Sequence, residues 1–380
     1  MKTFDVVIVG SGPSGAMAAL KLAESGLSIA IVEKETLPRY KTCGGGVSYR
    51  ARTLLGFDID SVVEQEFKTV KFSIIGENNM EFSVSREIPI ISMVMRDKFD
   101  SLIVDKAKEK GAKVLENCKV NGLTTIKNGV ILHTEDGDMQ SKFVIAADGA
   151  LSSIARMAGW KETRYLIPAL EYEVEVPEKD FQELAKDVRL DINFVPEGYG
   201  WSFPKKNHLS IGVGSGQRGK IDLPAYYKNY LKSLDVKEIA NESKHGAQIP
   251  ISPRKDGFFK NNILLVGDAA GFADPFSAEG IANAIYSGIL AAESIIESNF
   301  DPKLVNTIYN KKVNEKLIPE LKTAKILAYI FFRKIWFRKQ LMKKYGQTFA
   351  EALCDVFIGK RSYPTDVKKT LKKLLKTIVN

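Results

Sequence analysis

Cysteine and histidine are both scarce in this chain of 380 residues. Its three cysteines and three histidines stand far apart and include no C-x-x-C pair: Cys43, Cys118, Cys354, His133, His208 and His245. This spacing argues against a disulfide scaffold, a zinc ribbon and an iron–sulfur cluster, so we expect no metal site. Unpaired cysteines are typical of a reducing compartment, and we therefore expect a cytoplasmic protein.

Long hydrophobic runs are missing as well. No apolar stretch approaches the roughly 18 residues that a membrane-spanning helix needs. The apolar start of the chain contains Asp5 and runs into glycines after Val9, which favours a buried first strand over a signal peptide. With 44% hydrophobic and 27% charged residues, the composition is that of a globular protein with an ample core.

The first thirty residues contain a dinucleotide-binding fingerprint. An apolar strand up to Val9 leads into Gly10-Ser-Gly12-Pro13-Ser14-Gly15, then a helix over 16–23 and a second strand that ends in Glu33. Glycines in such a G-x-G-x-x-G turn allow a tight turn, close approach of a pyrophosphate, and packing of helix on strand. Glu33 is placed to accept hydrogen bonds from a ribose. The sequence therefore predicts a Rossmann-like α/β domain.

Two later apolar strands end in similar turns. One closes on Asp148-Gly149, and the other closes on Gly267-Asp268 and leads through a loop to Gly280-Ile281, where a helix begins. The carboxyl ends of parallel strands meet at one edge of an open α/β sheet, which is where ligands bind. We expect Asp268 to bind ribityl hydroxyls and the helix at Gly280 to direct its positive end at a flavin ring.

The set G-x-G-x-x-G, D-G-x-x-S and G-D-A-A-G resembles the FAD-binding domain of flavin hydroxylases and their relatives, over about residues 1–300. Arg96-Asp-Lys-Phe-Asp is similar to the arginine–helix segment of that domain, and the resemblance implies that Arg96 touches FAD. A second nucleotide unit is missing, because Gly212-Val-Gly214-Ser-Gly216 leads into no helix and is interpreted as a turn. The electron donor is therefore expected to be NAD(P)H that binds without its own domain, or a reduced ferredoxin-like protein.

A further glycine cluster follows Glu33 closely, in Pro38-Arg-Tyr40-Lys-Thr-Cys43-Gly44-Gly45-Gly46. Three successive glycines cost conformational entropy, so we expect something to approach this backbone closely. A flat cofactor is the expected neighbour, because the preceding residues already form a nucleotide site.

Between the flavin segments the pattern changes to short strands. Residues 70–75 and 80–84 are typical of a hairpin, and four more strands are expected within 169–213. We predict an antiparallel-sheet (α+β) substrate domain inserted into the FAD-binding domain. The FAD-binding domain would comprise 1–69, 96–160 and 255–300, the substrate domain 70–95 and 161–254, and a basic helical region 301–380.

One of these strands is rich in aromatic residues and reads Tyr199-Gly-Trp201-Ser-Phe203-Pro204. Strand alternation places Tyr199, Trp201 and Phe203 on one face. Such a face is either part of a core or a wall against an apolar ligand, and the pattern alone leaves both open.

Two stretches resemble signatures of the geranylgeranyl reductase family. They are P-x-Y-x-x-C-G-G from Pro38 to Gly45 and Y-x-W-x-F-P-x(7)-G from Tyr199 to Gly212. Members of that family are FAD-dependent oxidoreductases that hydrogenate isolated double bonds of prenyl chains in archaeal lipids, chlorophyll side chains or quinone tails. The resemblance implies an enzyme that saturates geranylgeranyl chains, of membrane ether lipids or a related prenyl compound.

The resemblance also implies the site residues. Catalytic residues would be Cys43, Gly44, Gly45, Tyr199 and Trp201, and the prenyl chain would lie against Tyr199, Trp201, Phe203 and Pro204. FAD would be bound by Gly10, Gly12, Pro13, Ser14, Gly15, Glu33, Lys34, Cys43, Gly44, Gly45, Arg96, Asp148, Gly149, Gly267, Asp268, Gly280 and Ile281.

An unactivated alkene needs a hydride at one carbon and a proton at the other, and aromatic walls exclude water and stabilise positive charge. Cys43 either supplies or relays that proton or only holds the loop. Three other functions stay open: an aromatic hydroxylase with the same nucleotide segments, a flavin halogenase suggested by the Trp201 strand, and a non-catalytic prenyl-lipid binder.

The charge of the chain is concentrated at its end. From Lys303 onward there are 19 Lys and Arg against 5 Asp and Glu, whereas the rest of the chain has 36 against 41. Helices are expected over 303–345, with basic residues among the apolar ones of 326–337. Leu371, Leu374, Leu375 and Ile378 define one face of a basic amphipathic helix. This tail either lies on an anionic membrane or packs on its own domain. Nucleic acid is not expected, since no recognition motif accompanies the charge.

Overall fold

The computed structural model describes residues 1–76 and 79–367. In that part of the chain the strands are β1 (Lys2–Val9), β2 (Ile29–Val32), β3 (Gly46–Ser48), β4 (Val63–Phe67), β5 (Thr69–Ile74), β6 (Met80–Ser85), β7 (Ile91–Val94), β8 (Lys113–Leu115), β9 (Val120–Ile126), β10 (Gly129–Thr134), β11 (Met139–Ala146), β12 (Leu166–Glu175), β13 (Val188–Ile192), β14 (Gly198–Pro204), β15 (Leu209–Ser215), β16 (Asn241–Pro250), β17 (Phe259–Lys260) and β18 (Ile263–Leu265).

The α-helices of the same residues alternate with these strands and then follow them. They are α1 (Pro13–Ala23), α2 (Tyr49–Leu55), α3 (Arg96–Glu109), α4 (Ser153–Met157), α5 (Glu178–Leu184), α6 (Leu223–Ser233), α7 (Gly267–Ala270), α8 (Ile281–Glu297), α9 (Pro302–Lys316), α10 (Ile318–Arg333) and α11 (Ile335–Phe357).

The first sheet holds the nucleotide-binding turns. Its strands run in the order β17-β18-β11-β1-β2-β8, and β18, β11, β1, β2 and β8 are mutually parallel. Helices α1, α3 and α8 pack around it, so that β2 is buried along its whole length and is purely apolar. The turns at Gly10, Asp148 and Gly267 follow the adjacent strands β1, β11 and β18 and therefore meet at one edge, as predicted.

The second sheet runs in the order β16-β12-β15-β14-β13-β5-β6. Neighbouring strands are antiparallel except β13 and β5, which are parallel. The prediction of a wholly antiparallel sheet is therefore wrong at this seam, where strands from two separate stretches of the chain lie side by side. The predicted fold class, a Rossmann-like FAD-binding fold with an inserted sheet and a helical C-terminal region, is confirmed; the domain boundaries stay a prediction.

Helix α6 covers one face of the second sheet, where Tyr227 and Tyr230 pack against side chains of β12 and β15. Of the three glycines interpreted as a turn, Gly212 and Gly214 lie inside β15 and Gly216 directly follows it, so that interpretation is wrong for the first two. Gly212 is the cross-strand partner of Trp201, and a Cβ there would come within 2.1 Å of the indole ring. The glycine in this strand makes room for the tryptophan.

The basic C-terminal region is helical as far as the structure describes it. Helices α10 and α11 meet at Lys334, whose backbone is not helical. They enclose an aromatic cluster in which Phe276 contacts Phe331, Phe332 and Phe349. The predicted amphipathic helix at 371–378 lies outside the described residues.

Close packing of α8 on α1 gives a test of the first core. A Cβ at Gly288 would lie 2.1 Å from the carbonyl oxygen of Ser14. We expect Gly288→Ala to lower the free energy of unfolding in urea by about 1–3 kcal/mol through overpacking. Gly246→Ala, on an exposed edge strand with space around it, is the matched control and should change it by less than about 0.5 kcal/mol. Equal effects would contradict this packing.

Candidate active site

The phosphate-binding turn is shaped by two glycines and left open at a third. A Cβ at Gly10, where φ is +104°, would lie 2.4 Å from the carbonyl oxygen of Ala147, and one at Gly15 would lie 2.1 Å from that of Gly10. At Gly12 the nearest atom is a guanidinium nitrogen of Arg39, 3.9 Å away. No side chain caps the start of α1. Its backbone N–H groups and Arg39 therefore provide a site for an anion.

A network of four charged side chains lies behind this turn. The Glu33 carboxylate accepts hydrogen bonds from the backbone N–H of Ser11 (3.0 Å) and from Nε of Arg39 (3.3 Å). Arg39 also pairs with Asp100 (3.2 Å), and Asp100 holds Arg96 through two bonds of 2.8 and 2.9 Å. The network joins β2, the loop after it, and α3.

Two of these groups are held in their charged forms. Burial alone would raise the pKa of Glu33, but the hydrogen bonds from Ser11 and the charge of Arg39 outweigh it and hold the pKa below its usual value. Burial disfavours the Arg96 cation, yet Asp100 and the nearby Cys43 thiol raise the pKa of Arg96 above its usual value. Arg96 thus links the network to the glycine-rich loop.

The turns after β11 and β18 differ in how their carboxylates are used. Asp148 accepts hydrogen bonds from Ser152 Oγ (2.6 Å) and the backbone N–H of Ile154 (3.0 Å), so it holds the start of α4. The Asp268 carboxylate accepts no hydrogen bond from any residue that the structure describes, and one oxygen faces Gly280 at the start of α8. Burial raises the pKa of Asp268.

Two buried arginines fix these turns. Arg164 donates to the carbonyl oxygens of Ala150 (2.7 Å) and Asp268 (2.5 Å), which joins the two turns directly. Arg254 donates to Ala269 (2.9 Å). Neither arginine was predicted from the sequence, because each lies outside any motif. Arg164 bonds to Asp268 about a hundred residues later in the chain, and Arg254 bonds to Ala269 across a loop.

These features fit FAD. The uncapped start of α1 and Arg39 suit a pyrophosphate, and Glu33 Oε1, which accepts one hydrogen bond, keeps a lone pair for a ribose hydroxyl. Asp268 and the start of α8 suit the ribityl chain and the ring. Within the described residues no group of acidic, histidine or cysteine side chains could hold a metal ion.

The Cys43-Gly-Gly-Gly loop packs on the aromatic strand. A Cβ at Gly44 would lie 2.8 Å from the ring of Phe203 and 3.1 Å from Nε1 of Trp201, and one at Gly45 would lie 2.1 Å from the carbonyl oxygen of Val94. Aromatic rings and backbone of the protein itself therefore require these glycines, and the expected contact of the loop with a flat cofactor stays a prediction.

A buried lysine that the sequence did not reveal fastens the loop. Lys205 Nζ donates to the carbonyl oxygens of Gly44 (2.6 Å) and Val94 (3.0 Å). Burial lowers the pKa of Lys205, although the nearby Glu173 carboxylate favours the charged form. The sequence signal that could have indicated this role is the position of Lys205 directly after Phe203-Pro204. A charged side chain next to a buried strand needs a partner.

The aromatic face is continuous. Ring centroids of Tyr199 and Trp201 are 6.1 Å apart and those of Trp201 and Phe203 are 6.5 Å apart. The Tyr199 hydroxyl donates to the carbonyl oxygen of Ser277 (2.7 Å), in the loop that leads to α8. Alternation turns Pro204 to the opposite face of β14, away from these rings.

The structure thus brings the two signature segments and the three nucleotide turns together around one site. Two predicted cofactor residues lie at its margin. Lys34 is exposed and pairs with Glu35, and the side chain of Ile281 is buried in the first core, so that only its backbone at the start of α8 can face the site.

Lys205 can be tested as the anchor of the loop. We expect Lys205→Met to release the Gly44 and Val94 carbonyls and to speed amide hydrogen exchange at 44–46 and Val94 about tenfold, the equivalent of ~1.4 kcal/mol. Exposed Lys206, replaced by Met, is the control and should leave exchange unchanged. Unaltered exchange in Lys205→Met would show that the loop is held by packing alone.

Comparisons with known proteins agree with this site. Residues 3–297 match the family described as FAD binding domain. Digeranylgeranylglycerophospholipid reductase of Methanosphaerula palustris is 33% identical, over 78% of this chain and 77% of its own. The chloroplastic geranylgeranyl diphosphate reductase of Arabidopsis thaliana is 26% identical, over 98% of this chain and 84% of its own.

A solved structure is similar along almost the whole chain. It is a geranylgeranyl bacteriochlorophyll reductase-like protein of Thermoplasma acidophilum, 26% identical, with a TM-score of 0.77 and coverage of 98% and 96%. The predicted cofactor, FAD, is confirmed by the family match. The chain belongs to the geranylgeranyl reductase family of FAD-dependent oxidoreductases.

Proposed function

We propose that this protein hydrogenates isolated C=C bonds of geranylgeranyl chains. The observation that carries the proposal is the contact between the Cys43 loop and the aromatic strand. The loop lies so close to the rings of Phe203 and Trp201 that only a glycine fits at position 44. This contact sets an apolar wall next to a cofactor site. A flat, water-poor surface of this kind suits a chain of hydrocarbon better than a polar substrate.

The substrates named for the relatives support the proposal that the enzyme recognises the prenyl chain of its substrate and not the head group. A phospholipid, a diphosphate and a chlorophyll pigment differ in polarity but share the geranylgeranyl chain. We propose the chain of a membrane ether lipid as the substrate here. NAD(P)H or a reduced ferredoxin-like protein is the proposed electron donor.

The residues of the site have distinct parts in this chemistry. FAD, once bound and reduced, supplies hydride to one carbon of the double bond. The π faces of Trp201 and Tyr199 stabilise the positive charge that develops at this same carbon as the other carbon is protonated, and they exclude water. Burial, with Asp274 and Cys43 nearby, raises the pKa of Tyr199, so its hydroxyl stays neutral and fixes the ring on Ser277.

Anaerobic turnover tests the function. The flavin is reduced in the absence of oxygen and mixed with a geranylgeranyl ether lipid, and reoxidation is followed by absorbance with product mass. We expect reoxidation and a gain of two hydrogens for each bond reduced. A flavin that stays reduced until oxygen is admitted would favour a hydroxylase or a lipid binder.

The same assay assigns Cys43. We expect Cys43→Ala to slow reoxidation by lipid about tenfold or more, because the loop loses the thiol beside Arg96, while FAD content stays normal. Cys118→Ala, in the core of the first sheet, is the control. Full turnover by Cys43→Ala would remove the cysteine from the chemistry.

We also propose that the protein works on the cytoplasmic face of a membrane, docked through the junction of α10 and α11. Ile326, Tyr329, Ile335 and Trp336 are exposed apolar side chains of this junction. The sequence from 321 to 350 contains eight Lys and Arg and no Asp or Glu. No described helix is long and apolar enough to cross a membrane.

The junction lies next to the proposed substrate wall. Arg333 pairs with Glu197 (2.8 Å), two residues before Tyr199. A surface groove of about 460 Å³ opens between Ile330, Arg333 and Trp336. Exposed aromatic and aliphatic groups among basic ones suit an anionic bilayer surface.

Vesicle binding tests the surface. We expect Ile335→Ser with Trp336→Ser to weaken binding to phosphatidylcholine–phosphatidylglycerol vesicles about tenfold or more, since two apolar side chains leave the bilayer. Leu151→Ser is the control, because Leu151 is 71% exposed, against 65% for Trp336, and lies far from the basic junction in sequence. Equal binding of all three proteins in sedimentation assays would contradict this docking surface.

A further inference from the structure

Glu171 is a buried carboxyl group that the chemistry described so far does not use. It lies on β12, and strand alternation places it on the face of the second sheet that α6 does not cover. The side chain is 2% exposed. Ser210 Oγ donates to its Oε1 at 2.6 Å, while Oε2 accepts no hydrogen bond of good geometry from the described residues.

The surroundings of Glu171 belong to the site. Ser210 also lies 3.5 Å from Nε1 of Trp201, and the backbone N–H of Cys43 faces the carboxyl group. The charged and titratable groups around it come from four elements: Glu173 on β12, Lys205 and His208 at the turn between β14 and β15, Tyr40 and Cys43 in the loop, and His245 opposite on β16.

These neighbours do not compensate for burial. Burial and the Glu173 carboxylate raise the pKa of Glu171 to about 7, although Ser210, Lys205 and the Cys43 N–H favour the charged form. At neutral pH a large share of the molecules therefore carries a proton on Glu171, unlike an ordinary glutamate.

Glu173 is the carboxyl group next to Glu171 on the same face of β12. The Tyr40 hydroxyl donates to Glu173 Oε1 at 3.4 Å, and His208 Nε2 lies 3.0 Å from Oε2. Tyr40 is 43% exposed and stacks on His245. Glu173 is therefore in contact with side chains that reach the surface, and it lies two residues from Glu171 on the same face of β12.

We propose that Glu171 is the acid that donates the proton in alkene reduction, and that Glu173 with Tyr40 and His208 returns a proton to it from solvent. The inference rests on the proposed function. The O–H bond of Glu171 breaks as a C–H bond forms at one carbon of the double bond, and the other carbon accepts hydride from the reduced flavin. The alkene gains two electrons and the flavin loses two. Water then reprotonates the carboxylate.

Single-turnover reoxidation tests the role. In the anaerobic assay with a geranylgeranyl ether lipid, Glu171→Gln should slow reoxidation by about 10²-fold or more, as expected for loss of a general acid. FAD content and reduction by dithionite should be unchanged. Glu175→Gln, at the exposed end of the same strand, is the matched control. Wild-type protein that is not reoxidised refutes the proposed function, whereas a Glu171→Gln rate within twofold of wild type refutes only this inference.

The pH profile separates an acid from a structural group. The wild-type rate should fall as pH rises through about 7, because the donor is the protonated form. Ser210→Ala removes a hydrogen bond that favours the carboxylate, so its midpoint should move to higher pH. This variant retains Glu171 and keeps the question decidable should Glu171→Gln fail to fold. An unchanged midpoint would overturn the assignment.

Stability of the protein without substrate gives an independent readout. The pKa of Glu171 is raised in the folded state, so its contribution to stability is present below the ordinary glutamate pKa and is lost as pH rises through about 7. Glutamine has no such loss. The melting temperature of Glu171→Gln relative to wild type should therefore rise by a few degrees from pH 5 to pH 8. A difference that does not vary with pH would show that Glu171 titrates normally and would refute the proposal.

Discussion

The buried ion network of Glu33, Arg39, Asp100 and Arg96 is the constraint on which the site depends. Its members come from the second strand, the loop after it and helix α3. Each side chain is too buried for water to stabilise its charge without a partner. Pairing therefore fixes the three elements relative to one another. It also places one cation beside the phosphate turn and another beside Cys43, so that a single set of contacts orients both ends of the cofactor site.

The second sheet completes what this network begins. The Cys43 loop is held by Arg96 at the start of α3, by Val94 on β7, and by Lys205, Phe203 and the carboxyl group of Glu171 at the second sheet. Neither sheet alone encloses the loop. The candidate site consequently lies between the sheet that carries the nucleotide-binding turns and a sheet that presents aromatic rings, a location typical of small-molecule sites.

Much of this arrangement could be predicted from patterns within short stretches of the sequence. Pairings between residues far apart in the sequence could not be predicted. Glycines in the turns, apolar strands and the alternation of Tyr199, Trp201 and Phe203 are visible within a few residues of one another, and the fold class follows from them. Arg164 joins Ala150 to Asp268, which is 104 residues away from it, and Glu171 pairs with Ser210, 39 residues away, so no motif near either residue indicates its burial. Gly212 was misread because a glycine in a turn and one beneath a large ring look alike.

Because Trp201 packs directly over Gly212, the residue at one of these positions limits the size of the residue at the other. The indole ring occupies the space that a side chain at 212 would need, and it reaches across to Gly214 as well. A smaller residue at 201 would leave an open groove along β15, with backbone atoms at its base. If the proposed prenyl chain lies against this wall, the space for it is set jointly by two strands, and redesign toward bulkier or branched chains begins with this pair.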